Sequence, residues 1–419
     1  MLREILKLNW QFLFLSLFAA LIPSGLNYWP LGILWILLWL TSGEYKKFKL
    51  PKKAWFWIMS SFFILHFIGF LYSSNKSDGF DIAFVELGFL FFPIILNTHT
   101  LKKEEFSALL MIFSCANFIA AVFLILRSLF YTIALQCPVY MYSKFSPFVH
   151  PTYLSLYLIF SIVILYLGEF KLSGEPKKDV IIKLIMSSVM VLAVLFCSAK
   201  IGLITLAVSI IFMSAYFIIK LKKVYQALSF FFIISGICFV FTEFVAFPLQ
   251  RLNNIVVQMN NTKGMNYTDL RTFNTQTVSK GLNQKESTIA RVFIWGSALP
   301  VIKDHLLFGV GPGDVSNAMN SYAESKGIYT FDKYNMHNQY IETAMGLGIP
   351  GLIVLLLLTF GALIYAFIQR DLLMGVFTTL CILFFMVESM FRMNYFSLFF
   401  SLFLFLFIRV NTKKDTSPE

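Results

Sequence analysis

The sequence predicts an all-α membrane protein: a polytopic bundle of about 12 transmembrane helices with one large loop on the outer side. Of the 419 residues, 58% are hydrophobic and only 13% are charged, whereas soluble domains carry about 25% charged residues. The apolar residues form continuous runs of about 20 residues, the length that a helix needs to cross a bilayer. These runs do not alternate between apolar and polar residues, as the strands of a membrane barrel do.

The apolar runs divide the chain into two groups of predicted spans separated by a long polar segment. The predicted spans are residues 8–23, 27–42, 54–72, 80–97, 106–130, 151–168, 180–198, 201–220, 226–247, 340–367, 372–390 and 394–410. Nine spans therefore occupy residues 1–247 and three occupy residues 340–410, followed by a tail at 411–419. The first run lacks the small-residue cleavage site of a signal peptide, so we interpret it as the first span.

The distribution of Lys and Arg predicts the orientation of the chain. With the N-terminus in the cytoplasm, most of these residues fall in cytoplasmic segments, for example the five lysines between residues 46 and 53. Such a bias marks the cytoplasmic side of a membrane. Both termini are therefore expected in the cytoplasm, and the net charge of +12 needs no nucleic-acid partner. The five cysteines are scattered and form neither a metal-binding spacing nor a disulfide framework.

The polar segment 248–339 is then an outer loop, too long to be a simple connector. Apolar residues recur with helical spacing around 287–306, which predicts an amphipathic helix lying on the membrane or on the bundle. The sequence GVGPGD at 309–314 follows it. It has two interpretations, a tight turn or a phosphate-binding loop, although it lacks the Lys-Ser/Thr of a P-loop.

The return of this loop to the membrane is unusually polar. Residues 336–351 read MHNQYIETAMGLGIPG, so His337 lies at the point where the chain re-enters the apolar phase. Glu342 follows five residues later and either orients a hydrogen-bond donor or caps the span. We take His337 as the candidate catalytic residue.

Further cationic or ionisable side chains lie at the outer ends of the predicted spans. Each has a structural interpretation: a helix cap for His150, extension of the side chain to the interface for Lys200, a helix-surface position for Arg291, and a pairing with Glu388 for Arg392. Because cations in short outer turns oppose the preferred topology, their accumulation at one face indicates an anion-binding site.

These residue types fit the transfer of a group from a lipid-linked diphosphate. Arg and Lys stabilise the negative charge that develops on a leaving diphosphate. A His with a pKa near neutral can accept the proton of an attacking hydroxyl. No DxD-like cluster lies near these residues, so neither a metal nor another cofactor is expected.

Two sequence blocks carry a family resemblance. RVFIWGSALPVIKDHLLFGVGPGD (291–314) and HNQYIETAMGLGIPGL (337–352) resemble the O-antigen ligase / O-antigen polymerase family of bacterial envelope proteins. Two further blocks, at 150–158 and 388–400, are similar to versions found in Bacteroidetes members. The resemblance covers roughly residues 140–410.

The resemblance implies a multispan glycosyltransferase of the bacterial inner membrane with a periplasmic active site. Its donor would be a glycan on undecaprenyl diphosphate, and no metal would be needed. The essential His of the family corresponds to His337, which would activate the acceptor hydroxyl. An Arg that contacts the donor diphosphate corresponds to Arg291. A second Arg is replaced by Lys200, which keeps the charge but loses the bidentate fork.

The function expected from the sequence is therefore an O-antigen ligase-type glycosyltransferase whose acceptor is a hydroxyl of lipid A–core, working among membrane lipids. A polymerase that uses a second lipid-linked glycan as acceptor is the alternative, and a protein O-glycosylating enzyme is a third. A transporter of the lipid-linked glycan belongs to another class. It should place its charges near the bilayer midplane and show repeated halves, whereas this sequence places them at one face. A non-catalytic envelope scaffold remains the last alternative.

Overall fold

The computed structural model describes residues 10–99, 101–137, 139–168, 170–219, 288–326 and 335–414. Within these ranges the chain is helical and contains no strand. The predicted span 226–247 and the first part of the predicted outer loop lie outside the described residues.

Within the described residues, nine α-helices longer than one turn precede the polar segment 248–339, and six belong to it or follow it. The first group is α1 (Trp10–Leu21), α2 (Trp29–Thr41), α3 (Ala54–Tyr72), α4 (Lys76–Val85), α5 (Gly88–Asn97), α6 (Lys103–Ile133), α7 (Pro151–Leu167), α8 (Pro176–Cys197) and α9 (Lys200–Ile219). The second group is α10 (Thr288–Asp304), α11 (Val315–Ser325), α12 (Gln339–Leu356), α13 (Ala362–Ile368), α14 (Leu372–Phe385) and α15 (Asn394–Lys414).

In the described part of the chain, seven helical segments are long and apolar enough to cross a membrane, and four shorter apolar helices accompany them. Helices occur at each predicted span that lies within the described residues, which confirms the all-α polytopic fold. The largest difference in a boundary concerns the predicted span 372–390. Its helix, α14, ends at Phe385, because the following residues form a turn that points polar side chains towards His337.

The centre of the bundle is formed by α7 and α15. Every residue from Pro151 to Leu165 in α7 is buried, and 78% of the apolar stretch of α15 is buried. A helix that is apolar on all sides must be surrounded by other helices. Phenylalanine rings pack between the helices here. The ring centre of Phe160 in α7 lies 5.2 Å from that of Phe377 in α14 and 6.1 Å from that of Phe403 in α15.

The first turns of α7 and α15 meet at the end of the bundle that carries the polar residues. The rings of Tyr153 and Tyr395 are 5.3 Å apart, and the Tyr153 hydroxyl donates to the carbonyl oxygen of Ser389 at 3.4 Å. The central helices therefore fix the turn between α14 and α15 in place.

A helix, α10, lies where the sequence predicts an amphipathic helix, and three of its apolar side chains pack against protein. Ile294, Ala298 and Val301 are buried against Met319 of α11 and Met345 of α12. Burial of these side chains holds α10 on the first half of α12.

The glycine-rich segment 309–314 is a packed turn, and its amides are used within the protein. The Val310 amide donates to the Met345 carbonyl (2.8 Å), the Gly311 amide to the Gly346 carbonyl (3.1 Å), and the Gly313 amide to Ser73 Oγ (3.2 Å). Gly311 has φ +97°, and a Cβ there would lie 2.5 Å from Ser73 Oγ. The tight-turn interpretation is therefore correct, and the phosphate-binding one is wrong.

Asp314, the last residue of this segment, fastens the turn to the α3–α4 connection. Its carboxylate accepts the backbone N–H groups of Ser74 (2.5 Å) and Asn75 (2.9 Å).

Helix α12 is interrupted at Gly348, where φ is +65°. The Ile349 amide donates to the Leu306 carbonyl at 2.8 Å, so the segment before α11 supplies a hydrogen bond that the interrupted helix lacks.

Candidate active site

The side chain of His337 is bound to a buried carboxylate. Its Nδ1 lies 3.0 Å from Oε1 and 3.2 Å from Oε2 of Glu388, in the turn between α14 and α15. Glu388 is 5% exposed, and a buried charge must be paired and hydrogen-bonded to be tolerated. The contact between His337 and Glu388 therefore ties the position of this turn to the start of α12.

The backbone around His337 is held in an uncommon conformation. His337 has φ +46°, a left-handed value that is unfavourable for side chains other than glycine and is often found at functional sites. The Asn335 side chain accepts the His337 amide at 2.8 Å, and the Trp295 indole donates to the Met336 carbonyl at 2.7 Å. The next residue, Asn338, caps α12 by accepting the Tyr340 and Ile341 amides.

The guanidinium of Arg291 approaches the same carboxylate from α10. Its Nη2 lies 3.8 Å from Oε2 of Glu388, an oxygen that also contacts His337. Among the described residues, its Nε is buried without a hydrogen-bond partner. The structure thus brings the two main predicted residues, His337 and Arg291, to one carboxylate and leaves one buried donor of Arg291 unsatisfied.

The electrostatics of this cluster keep Glu388 ionised. Burial by itself would raise the pKa of the Glu388 carboxyl. The hydrogen bond and charge of His337, together with the charges of Arg291 and His150, outweigh burial and hold the pKa below its ordinary value. A carboxylate, rather than a carboxylic acid, therefore faces His337 at neutral pH.

A second ion pair lies beside the first. Arg392 donates through Nε to Glu342 Oε1 at 2.9 Å and also through Nη2 to the same oxygen, while Ser389 Oγ donates to Glu342 Oε2 at 3.3 Å. The suggested pairing of Arg392 with Glu388 is therefore wrong. The first turn of α12 brings Glu342 to Arg392, whereas the Glu388 side chain turns towards His337.

His150 and Lys200 lie at the same end of the bundle. The His150 ring caps α7, with Nδ1 3.4 Å from the Thr152 amide. Lys200 opens α9. A Cβ on Gly202 would lie 2.7 Å from the Cβ of Ser155, so the first turn of α9 lies against the N-terminal part of α7. The structure brings His337 and Arg291 together through Glu388, and it places Lys200 only at the same end of the bundle.

Sequence reasoning considered Glu388 only as a partner for Arg392 and missed its contact with His337. Asn335 and Trp295, which hold the His337 backbone, were also missed. The available signal was an acidic residue in a short outer turn between two apolar spans. In the described part of the chain, no group of three or more His, Cys, Asp or Glu side chains is placed to hold a metal ion.

Comparison with known families agrees with the two sequence blocks. Residues 184–356 match the family model described as O-antigen ligase, which confirms the resemblance to the O-antigen ligase / O-antigen polymerase family. The matched region contains Lys200, Arg291 and His337 and ends before Glu388 and Arg392. No curated protein matches the chain.

Proposed function

From the premise that residues 184–356 carry the O-antigen ligase domain of this family, we propose a specific reaction for the protein. It transfers a glycan from undecaprenyl diphosphate to a hydroxyl of lipid A–core at the periplasmic face of the inner membrane, without a metal. The observation that carries this proposal is the convergence of His337 and Arg291 on the buried carboxylate of Glu388.

His337 is the general base of the proposed reaction. Its Nδ1 is engaged by Glu388, so Nε2 is the ring nitrogen left to accept a proton. A positioned base of this kind contributes about 10²–10⁴-fold to a rate. The acceptor oxygen loses its proton to Nε2 as it bonds to the anomeric carbon of the donor sugar.

Arg291 and Lys200 hold the donor diphosphate. The bond between the anomeric carbon and the diphosphate oxygen breaks, and its electron pair stays on the leaving group. Fixed cations stabilise this developing charge. The buried Nε of Arg291, which has no hydrogen-bond partner among the described residues, supports the assignment, because a buried donor without an acceptor is costly unless a ligand completes it.

The location of the cluster suits a lipid-linked donor. His337 precedes α12, and His150 and Glu388 adjoin the first turns of α7 and α15, so the cluster lies where several membrane helices end. A donor whose lipid tail stays in the bilayer would reach such a site sideways. The proposed orientation, with both termini in the cytoplasm, puts this end in the periplasm and rests on the positive-inside distribution.

The test is the envelope glycan profile of a deletion strain complemented with variants. Ligase activity predicts that long glycan accumulates on the undecaprenyl carrier while lipid A–core stays bare. His337→Ala and Arg291→Gln should give the deletion profile. His305→Ala and Arg370→Gln, which change one exposed His and one exposed Arg outside the cluster, should restore the wild-type profile.

Other outcomes would replace this proposal. Accumulation of single repeat units would indicate the polymerase alternative, in which a second lipid-linked glycan is the acceptor. A normal glycan profile in the deletion strain would refute both assignments and would favour protein glycosylation or transport.

A further inference from the structure

The Glu388 carboxylate contacts both the proposed base and the proposed diphosphate-binding cation. Resting on the proposed function, we propose that Glu388 is a positioning residue that couples donor binding to activation of His337. Before the donor binds, Arg291 and His337 share the negative charge of Glu388. When a diphosphate engages Arg291, that charge acts on His337 alone, and the imidazole becomes a stronger base.

The first support is the way Glu388 holds the ring. The Glu388 carboxylate accepts from His337 Nδ1 at 3.0 Å, and Asn335 Nδ2 donates to the same Oε1 at 3.4 Å. Since Asn335 also accepts the His337 amide, the ring and its backbone are fixed by the same group. A carboxylate at Nδ1 selects the tautomer in which Nε2 is unprotonated and stabilises the imidazolium that forms later.

The second support is the unequal strength of the two contacts. His337 lies at hydrogen-bond distance from Glu388, whereas Arg291 Nη2 is 3.8 Å away, beyond hydrogen-bond distance. The buried Nε of Arg291 has no partner among the described residues. A diphosphate oxygen offers Arg291 the close hydrogen bonds that Glu388 does not provide, so Arg291 is the partner that can be drawn away.

Among the described residues, Glu388 has no other ready counter-charge of this strength. The titratable groups there that interact electrostatically with it are His337, Arg291, His150, Tyr153 and Tyr395. His150 also caps α7, and the two tyrosines carry no charge at neutral pH. A change in the position of the Arg291 charge is therefore felt mainly at His337.

Coupling of this kind has a consequence for affinity. The negative charge of Glu388 stabilises Arg291 in the free protein and repels the incoming diphosphate. Removing the charge should tighten donor binding while it slows glycan transfer. Replacing a residue that has only a structural role would instead weaken donor binding and slow glycan transfer together. Coupling between two sites typically changes affinity by about fivefold or more.

The experiment uses the full-length protein in lipid nanodiscs, with undecaprenyl diphosphate as the binding probe and purified lipid-linked glycan as the substrate. For Glu388→Gln we expect kcat to fall about 100-fold and the dissociation constant of undecaprenyl diphosphate to fall about fivefold. Glu388→Asp should recover part of kcat. Glu86→Gln is the matched control, since Glu86 is a fully buried carboxyl bound to Ser397, and it should leave the dissociation constant unchanged.

A second measurement needs no variant at position 388. The rate at which diethyl pyrocarbonate modifies His337 in the wild-type protein follows the neutral imidazole, and its pH midpoint should rise when undecaprenyl diphosphate is added. The exposed His305 serves as the internal reference, whose midpoint should stay constant.

The outcomes separate this inference from the proposed function. An unchanged kcat in Glu388→Gln, a parallel loss of binding and turnover, or a midpoint of His337 that ignores the diphosphate would overturn the coupling while transfer by the wild type continued. If the wild type neither bound undecaprenyl diphosphate nor transferred glycan, the proposed function itself would fail.

Discussion

Replacing Gly313 by alanine should detach the glycine-rich turn from the α3–α4 connection. A Cβ at this position would lie 2.2 Å from the Asn75 carbonyl oxygen and 2.7 Å from the Gly79 amide nitrogen. Both neighbours are backbone atoms, so they cannot move aside as a flexible side chain would. The backbones must separate by roughly 1 Å to restore ordinary carbon–oxygen contact.

The cost follows from the contacts that this separation disrupts. Overpacking alone costs about 1–3 kcal/mol. The movement also strains the bond from the Gly313 amide to Ser73 and the two bonds from Ser74 and Asn75 to Asp314. Hydrogen bonds to a charged group contribute about 1.5–3 kcal/mol each. We therefore expect Gly313→Ala to destabilise the protein by about 3 kcal/mol or more.

Thermal unfolding of the purified protein, followed by tryptophan fluorescence, measures this effect. The matched control is Gly174→Ala, because a Cβ at Gly174 meets nothing within 4 Å. The control should unfold at or slightly above the wild-type temperature. Equal unfolding temperatures for Gly313→Ala and the control would refute the inference that this turn is a packed structural contact.

Three further predictions concern charged groups of the candidate site. Glu342→Gln should destabilise the protein by roughly 1–3 kcal/mol, because it weakens two hydrogen bonds from Arg392, and the additional change Arg392→Gln should recover part of the loss in thermal unfolding. The pKa of Glu388 is lower in the folded protein than its ordinary value of 4.5. Its ionised form therefore stabilises the protein at pH values above 4.5, and this stabilisation disappears as the pH falls through the folded-state pKa. The unfolding temperatures of wild type and Glu388→Gln should therefore differ most at neutral pH and converge under acidic conditions; a constant difference would contradict the assignment. Lys200→Gln should raise the KM for the lipid-linked donor about tenfold, because one charge contact to the donor is lost. Lys200→Arg should keep this KM within about threefold of the wild-type value.

The helices could be predicted from the sequence because a span requires a continuous apolar run, and such runs are visible without tertiary information. The end of α14 was missed for the same reason. Residues 386–390 are still largely apolar, but they leave the helix to carry Glu388 to His337. Hydropathy reports where a segment prefers to be and does not report where a helix must stop for a side chain to reach its partner.

The site was predictable where polar residues stand out against an apolar background. His337 and Arg291 stood out in this way and also lay in recognisable blocks. Glu388 was assigned a neighbour one turn away, since local spacing offers only local partners. Its contact with His337 spans 51 residues, and that of Arg392 with Glu342 spans 50. Such pairings depend on how α12, α14 and α15 pack, which no single stretch of sequence contains.

The interruption of α12 at Gly348 bears on how the protein is made. A backbone at membrane depth must have its polar groups satisfied within the protein, and α12 meets this need with partners from earlier in the chain. Leu306, Val310 and Gly311 bond to residues 345–349. During synthesis from the N-terminus, these three residues leave the ribosome before α12 does. The segment that completes the broken span is thus already available when the span enters the membrane.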